Sequence, residues 1–274
     1  MSATLASPPG STPHMVDRFW KCATAALVLI VGAACQHEFK PASFKTNEQL
    51  YKAGVHEFGR QKWDNAIAAF EKLTLDLPAR DSLLPRSYWY LATAHERQGE
   101  HLLAAQSYSK LVESFPDDSL ADDAALEAAR SYWKMWRKPS LDPTYGETAL
   151  ATYNTLLGLY PTSPLVPQAQ KELADLENWF ATKNYDAGLF YLRRKAFDSA
   201  ILYFKDVLTR WPNSPTAKET SLRLVEAYKA IRYREDASDL CTQLRKKYAN
   251  DGGVKETCSG IPDAVVPSTT SAVP

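Results

Sequence analysis

The stretch FDSAILYFKDVLTRWP, residues 197–212, decides the fold. Within it Ala200 is followed four residues on by Phe204, and eight beyond that by Pro212. The same spacing recurs in WDNAIAAFEKLTLDLP (Ala66, Phe70, Pro78), HLLAAQSYSKLVESFP (Ala104, Tyr108, Pro116) and ETALATYNTLLGLYP (Ala149, Tyr153, Pro161). A fifth, degenerate copy runs through Ala237 and Cys241 to Ala249. Residues i and i+4 share one face of a helix, so each copy sets a small residue beside a large ring on that face. The alanine admits a neighbouring helix, and the ring fills the space next to it. Proline cannot continue a helix and stops each one after about three turns. Twelve residues before three of the alanines stands another small residue: Gly54, Ala92 and Gly188. Each copy therefore reads as the second helix of a hairpin whose first helix touches it at that point.

A helical hairpin repeated in this way resembles the tetratricopeptide repeat, whose unit is about 34 residues. The units here are longer, since the prolines are spaced by 38, 45 and 51 residues. One insertion is RKPSLDPTYGE, residues 137–147, whose prolines and glycine predict an irregular connection. Another is a long first helix in the fourth unit, from about Gln168 through Arg194. The expected fold is all-α, a right-handed α-solenoid of about five tetratricopeptide-like hairpins over residues 47–249. Residues 250–274 are expected to be a mostly disordered tail.

The chain has 274 residues and balanced charge, 32 basic against 32 acidic side chains. That balance argues against a nucleic-acid partner, which requires a basic excess on some face. The cysteines form no Cys-x-x-Cys pair, the histidines no His-Glu-x-x-His, and no P-loop or Gly-x-Ser-x-Gly is present. No metal, cofactor or catalytic chemistry is expected from these motifs.

Residues 1–34 read as a leader and signal peptide, with the signal proper from Met15: Arg18 and Lys21, an apolar run from Ala23 to Val31, then Gly32, Ala33 and Ala34. Small residues directly before Cys35 resemble a bacterial lipobox, which implies lipidation of Cys35. Gly32 stands where that motif usually has leucine, and ordinary signal cleavage is the alternative. Residues 35–46 would form a lipid-anchored linker. Gln36, rather than aspartate, follows the cysteine, which by resemblance favours the outer membrane.

The ordered combination of this leader, five divergent repeats, Asp142-Pro143-Thr144, and Tyr160-Pro161-Thr162-Ser163-Pro164 before a long helix resembles the BamD family. These are lipoproteins of the outer-membrane β-barrel assembly machinery. The resemblance covers roughly residues 46–249 and is closest over residues 187–219, the family's fourth repeat. It implies a non-enzymatic lipoprotein on the periplasmic face of the outer membrane. Its partners would be unfolded outer-membrane β-barrel proteins, met by repeats one to three, and the periplasmic domains of the barrel-forming assembly subunit, met by the C-terminal repeats. The alternative is a periplasmic tetratricopeptide scaffold serving cell-envelope division or peptidoglycan enzymes. No sustained heptad before Glu48 supports the coiled coil usual in the division scaffolds.

The repeat register assigns a candidate peptide-binding face on the first helices: Tyr51, Val55 and Phe58, then Arg86, Trp89 and Thr93, then Arg130 and Trp133. Aromatics beside arginines suit a peptide ending in an aromatic residue and a carboxylate. The alternative for each aromatic is packing between repeats. Arg193-Arg194-Lys195 reads as a solvated helix end favoured by the dipole, with an acidic partner as the alternative, and Asp117, Asp118, Asp122 and Asp123 as the cap region of the next helix. Cys241 and Cys258 are a candidate disulfide, because the Asp251-Gly252-Gly253 turn can fold the chain back. The alternative is a buried free thiol at Cys241 and a disordered Cys258.

Overall fold

The computed structural model describes residues 39–264. The expected signal peptide and Cys35 lie outside them. The chain divides into two compact units, one ending at Phe44 and one beginning at Lys45. Of the first, the described part is a 3-10 turn at Pro41–Ser43, flanked by Phe39 and Phe44 with ring centroids 5.7 Å apart.

The second unit is built from helices, and no strand occurs among the described residues. Five hairpins follow in order. They are α1 (Asn47–Gly59) with α2 (Trp63–Asp76), and α3 (Leu83–Gln98) with α4 (His101–Ser114). Next come α5 (Ala121–Met135) with α6 (Thr144–Leu159), then α7 (Val166–Arg193) with α8 (Phe197–Arg210). The fifth is α9 (Ala217–Ala230) with α10 (Arg234–Lys247), and a short α11 (Gly252–Thr257) follows. Each helix of the hairpins packs on the next in the chain. This is an α-solenoid of tetratricopeptide-like hairpins.

The repeated triplets explain the stacking. Ala66, Phe70, Ala104, Ala149, Tyr153, Ala200 and Phe204 are completely buried, and Tyr108 nearly so. The four helices that precede the motif prolines all end two residues before the proline, as the steric restriction on the pre-proline residue requires. At the start of α3 and of α6, a side chain two residues upstream accepts the first helical N–H. Asp81 takes that of Leu83 at 2.8 Å and Asp142 that of Thr144 at 3.0 Å. Asp118 does the same for Leu120 at 2.9 Å, just ahead of α5.

Two boundaries differ from the expectation. The irregular connection drawn over residues 137–147 ends at Pro143, because Asp142 caps a helix that starts at Thr144. Gly146 lies within that helix, where it gives room to the Trp136 ring. The segment from residue 250 also departs from a mostly disordered tail. Asp251 caps α11 through its side chain, and Val254 and Cys258 are buried.

The turns inside four of the five hairpins share one device, the third being joined by its longer insertion. Gln61, Gly99, Lys195 and Arg232 have φ values of 60°, 80°, 60° and 62°. Only the second hairpin uses glycine there, so three long side chains occupy a region that L-residues resist. Lys195→Gly and Arg232→Gly should therefore each stabilise the protein by up to about 1 kcal/mol, a rise in Tm of about 2–4 °C. Thermal melts of the two variants check this, and an unchanged or lowered Tm would show that the turns carry no strain.

Candidate peptide-binding face and its comparisons

The structure distributes the eight expected face residues between two kinds of surroundings. Tyr51 sits edge-on to Phe70, centroids 5.9 Å apart, and to Tyr90 at 6.2 Å. Phe58 meets Trp63 at 5.2 Å and Tyr90 at 5.1 Å, and Tyr90 stacks on Phe70. Tyr90, from α3, thus closes an aromatic cluster across the first two hairpins. Trp89 packs against Tyr108 at 5.3 Å, and Trp133 against Trp179 at 5.7 Å. All four aromatics are half-buried, each packed against another ring yet partly open to solvent. Val55 and Thr93 are half-buried too, Thr93 bonding Tyr108 Oη at 3.0 Å.

The two arginines differ. Arg86 is exposed and stands beside Tyr51. Burial pushes the Tyr51 hydroxyl above its ordinary pKa and Tyr90 adds to the shift, while Arg86 opposes both. Arg130 is instead held by carboxylates. Its Nε and Nη2 donate to both oxygens of Glu172 at 2.8 and 2.5 Å, and its Nη1 donates to Glu127 at 2.5 Å. The Tyr153 hydroxyl donates to the same Glu172 at 2.9 Å, and Gln168 Nε2 at 3.1 Å. Burial would raise the Glu172 pKa, but the bonds from Arg130 and Tyr153 outweigh it and hold the carboxyl below its usual range.

A second carboxylate knits hairpins two and three in the same manner. Glu96 of α3 accepts from His101 at 2.9 Å, from Ser131 at 3.1 Å, and from Lys134. Its pKa is likewise lowered, these partners prevailing over the effect of burial. The bonds of Arg130 and Tyr153 to Glu172, and of Ser131 and Lys134 to Glu96, tie one hairpin to the next. Those from Arg130 to Glu127, Gln168 to Glu172 and His101 to Glu96 stay within a hairpin. Glu172 was not among the expected residues, although a buried tyrosine hydroxyl demands an acceptor. Trp136 and Trp179 were also missed. Trp136 is fully buried against Trp179 at 5.6 Å and Phe180 at 4.6 Å. The arginine run falls where expected, at the end of α7 with Arg193 as its last residue. Arg194 lies over the half-exposed Phe190 ring at 4.2 Å. Asp122 and Asp123 lie in the first turn of α5.

No helix among the described residues is long and apolar enough to cross a membrane. Stacked hairpins with buried motif residues and polar ties from repeat to repeat define a protein of the tetratricopeptide-repeat class. More particularly, the chain belongs to the YfiO outer membrane lipoprotein family, whose profile matches residues 44–244. It is 25% identical over 224 residues to the outer membrane protein assembly factor BamD of Caulobacter vibrioides, covering 78% of this chain and 72% of that one. The factor of the same name from Vibrio cholerae is 31% identical over 90 residues, 33% of this chain and 37% of its own. Among solved structures, the TPR2AB domain of yeast Sti1 is similar with a TM-score of 0.38 and 16% identity, over 77% of this chain and 81% of that one.

Proposed function

We propose that this protein is a lipid-anchored subunit of the machinery that assembles β-barrel proteins in the outer membrane. It works as a binding scaffold and not as an enzyme. The observation that carries this reading is the family match across residues 44–244, which takes in nearly the whole solenoid. The assembly-factor name borne by relatives that cover most of the chain supports it. In this reading Cys35 carries the lipid and holds the protein on the periplasmic face. Unfolded barrel proteins dock on the first-helix face of hairpins one to three, at the open sides of Tyr51, Phe58, Trp89 and Trp133. Arg86 meets the carboxylate of the docked segment, while Arg130, already held by Glu127 and Glu172, positions the surface beneath it. The C-terminal hairpins meet the barrel-forming assembly subunit.

Affinity purification of the tagged protein from its native envelope tests the reading. The barrel-forming outer-membrane subunit should co-purify, and Cys35→Ala should release the protein from the outer-membrane fraction. Recovery of division or peptidoglycan enzymes in place of that subunit would overturn it.

A further inference from the structure

The C-terminal end of the solenoid is closed by a segment with little helical stability of its own. Helix α11 is six residues long, well below the length at which an isolated helix is stable. It lies against Leu222 and Val225 of α9 and Leu244 of α10, with Val254 buried between them. These apolar residues form the face on which a further hairpin would stack in a longer solenoid. The polar ties of the segment lie at its rim. Lys218 pairs with Asp251 at 2.7 Å, both side chains partly exposed. Arg245 Nη2 donates to the carbonyls of Cys258 and Ile261, both at 2.7 Å, and Lys229 to that of Thr257 at 3.3 Å. Farther on, Ser238 Oγ donates to the Pro262 carbonyl at 2.8 Å, Arg245 Nη1 to Asp263 at 2.5 Å, and the Ala264 N–H to Thr242 Oγ1 at 2.9 Å. The ion pairs among these ties are partly exposed and contribute little.

One covalent link reaches beneath them. Cys241 of α10 is bonded to Cys258, just past α11, with the Cα atoms 5.7 Å apart. That separation suits an unstrained bridge. Both cysteines are buried, at 0% and 1% exposure, in the same apolar cluster. They are also the only cysteines beyond Cys35, so the pair has no rival partner in the folded region.

We propose that the Cys241–Cys258 disulfide is a redox-set latch on the end of the solenoid. In the oxidised chain it keeps residues 250–264 closed over Leu222, Val225 and Leu244. In the reduced chain the segment opens and that apolar face is uncovered. Closing the latch converts two thiols to one disulfide. The two electrons and two protons pass to the disulfide of a thiol oxidase of the exporting compartment, which becomes a dithiol. Opening is the reverse exchange with a dithiol reductant. The buried sulfurs are beyond a reductant until the segment lifts, so reduction follows the opening motion. A chain that has not yet met an oxidant therefore carries an open end, and oxidation completes its maturation. The inference is independent of the assembly role proposed above.

The test uses the purified full chain, oxidised or pre-treated with dithiothreitol, together with the C241S/C258S variant. Trypsin cleavage after Lys255 is followed by mass spectrometry, and the uncovered apolar face by the fluorescence of anilinonaphthalene sulfonate. The loop closed by the bridge is long enough that its loss should raise the open population, and with it the cleavage rate, by about a hundred-fold. Dye fluorescence should rise in parallel. The single variant Cys258→Ala, which leaves the buried Cys241 in place, guards against misfolding of the double variant, with helix content checked by circular dichroism. Equal protease resistance and equal dye binding in the oxidised, reduced and Cys258→Ala proteins would overturn the latch.

Discussion

Replacing Gly146 by alanine should destabilise the protein by about 3 kcal/mol, at the upper end for overpacking a core. A Cβ built there would lie 2.2 Å from Cε3 of Trp136 and 2.7 Å from Cζ3. The indole has no direction in which to recoil. It is 1% exposed, packed on Phe180 and Trp179, and its Nε1 donates to the Leu141 carbonyl at 3.4 Å. The backbone of α6 must therefore shift away from α5, loosening the third hairpin. Three other helical glycines grade the effect. Gly188→Ala should be nearly as damaging, since its Cβ would fall 2.4 Å from the Phe204 ring. Gly54→Ala should be milder, with its closest approach 3.0 Å to the Ala69 Cβ. Gly158 has nothing within 4 Å, so Gly158→Ala should stabilise by about 0.5–1 kcal/mol through helix propensity alone. Urea unfolding of the four variants measures the order. A Gly146→Ala protein as stable as the parent would show that Trp136 can repack.

Glu172→Ala should cost about 3 kcal/mol, because it strands two partners at once. Arg130 would lose both bonds to Glu172, and the Tyr153 hydroxyl would be buried with no acceptor. Glu172→Gln keeps the shape and much of the hydrogen bonding, so it should cost less. It also isolates the charge. The folded-state pKa of Glu172 lies below its ordinary value, since the bonds from Arg130 and Tyr153 exceed the opposing effect of burial. A depressed carboxylate pKa contributes stability that is complete above the unfolded value of about 4.3 and is lost as pH falls through the folded value. The parent protein should therefore weaken on acidification below about pH 4.3, and Glu172→Gln should show a shallower decline. Glu96, lowered by its own partners, supplies part of the slope that remains. Denaturant midpoints collected between neutral pH and about pH 3 read the difference. Parallel pH profiles for parent and Glu172→Gln would contradict the assignment.

Much of the architecture was legible in the sequence, for a physical reason. The second helices repeat because one steric requirement, a small residue under a ring, recurs at every hairpin. The prolines fix their ends within two residues. The first helices repeat less strictly. Their aromatics serve both packing and surface, so the register places Tyr51 and Trp89 without saying which edge of each ring is covered. The third hairpin broke the period outright. Its insertion hid the pairing of Gly146 with Trp136, and moved the small residues of the first helix, Ala125 and Ala129, off the twelve-residue spacing to Ala149. Glu172 was invisible because its partner Arg130 is 42 residues away, across a unit of irregular length. The C-terminal segment was half legible: Cys241 and Cys258 suggested a chain that turns back, but the short helix between them has no repeat counterpart.

Helix α7 has a consequence for how the scaffold yields under load. Its 28 residues run about 42 Å, roughly twice the length of its neighbours. Ala169, Leu176 and Phe180 belong to the core of the third hairpin, whereas Gly188 and Leu189 belong with α8. Stacked repeats ordinarily melt or peel away one by one, each held only by the units beside it. A single rigid rod shared by two of them removes that option in the middle of the chain. Pulling apart hairpins three and four means fracturing the rod or stripping half of it from a core, so fraying from either terminus should halt there, and the central portion should rupture as one cooperative block.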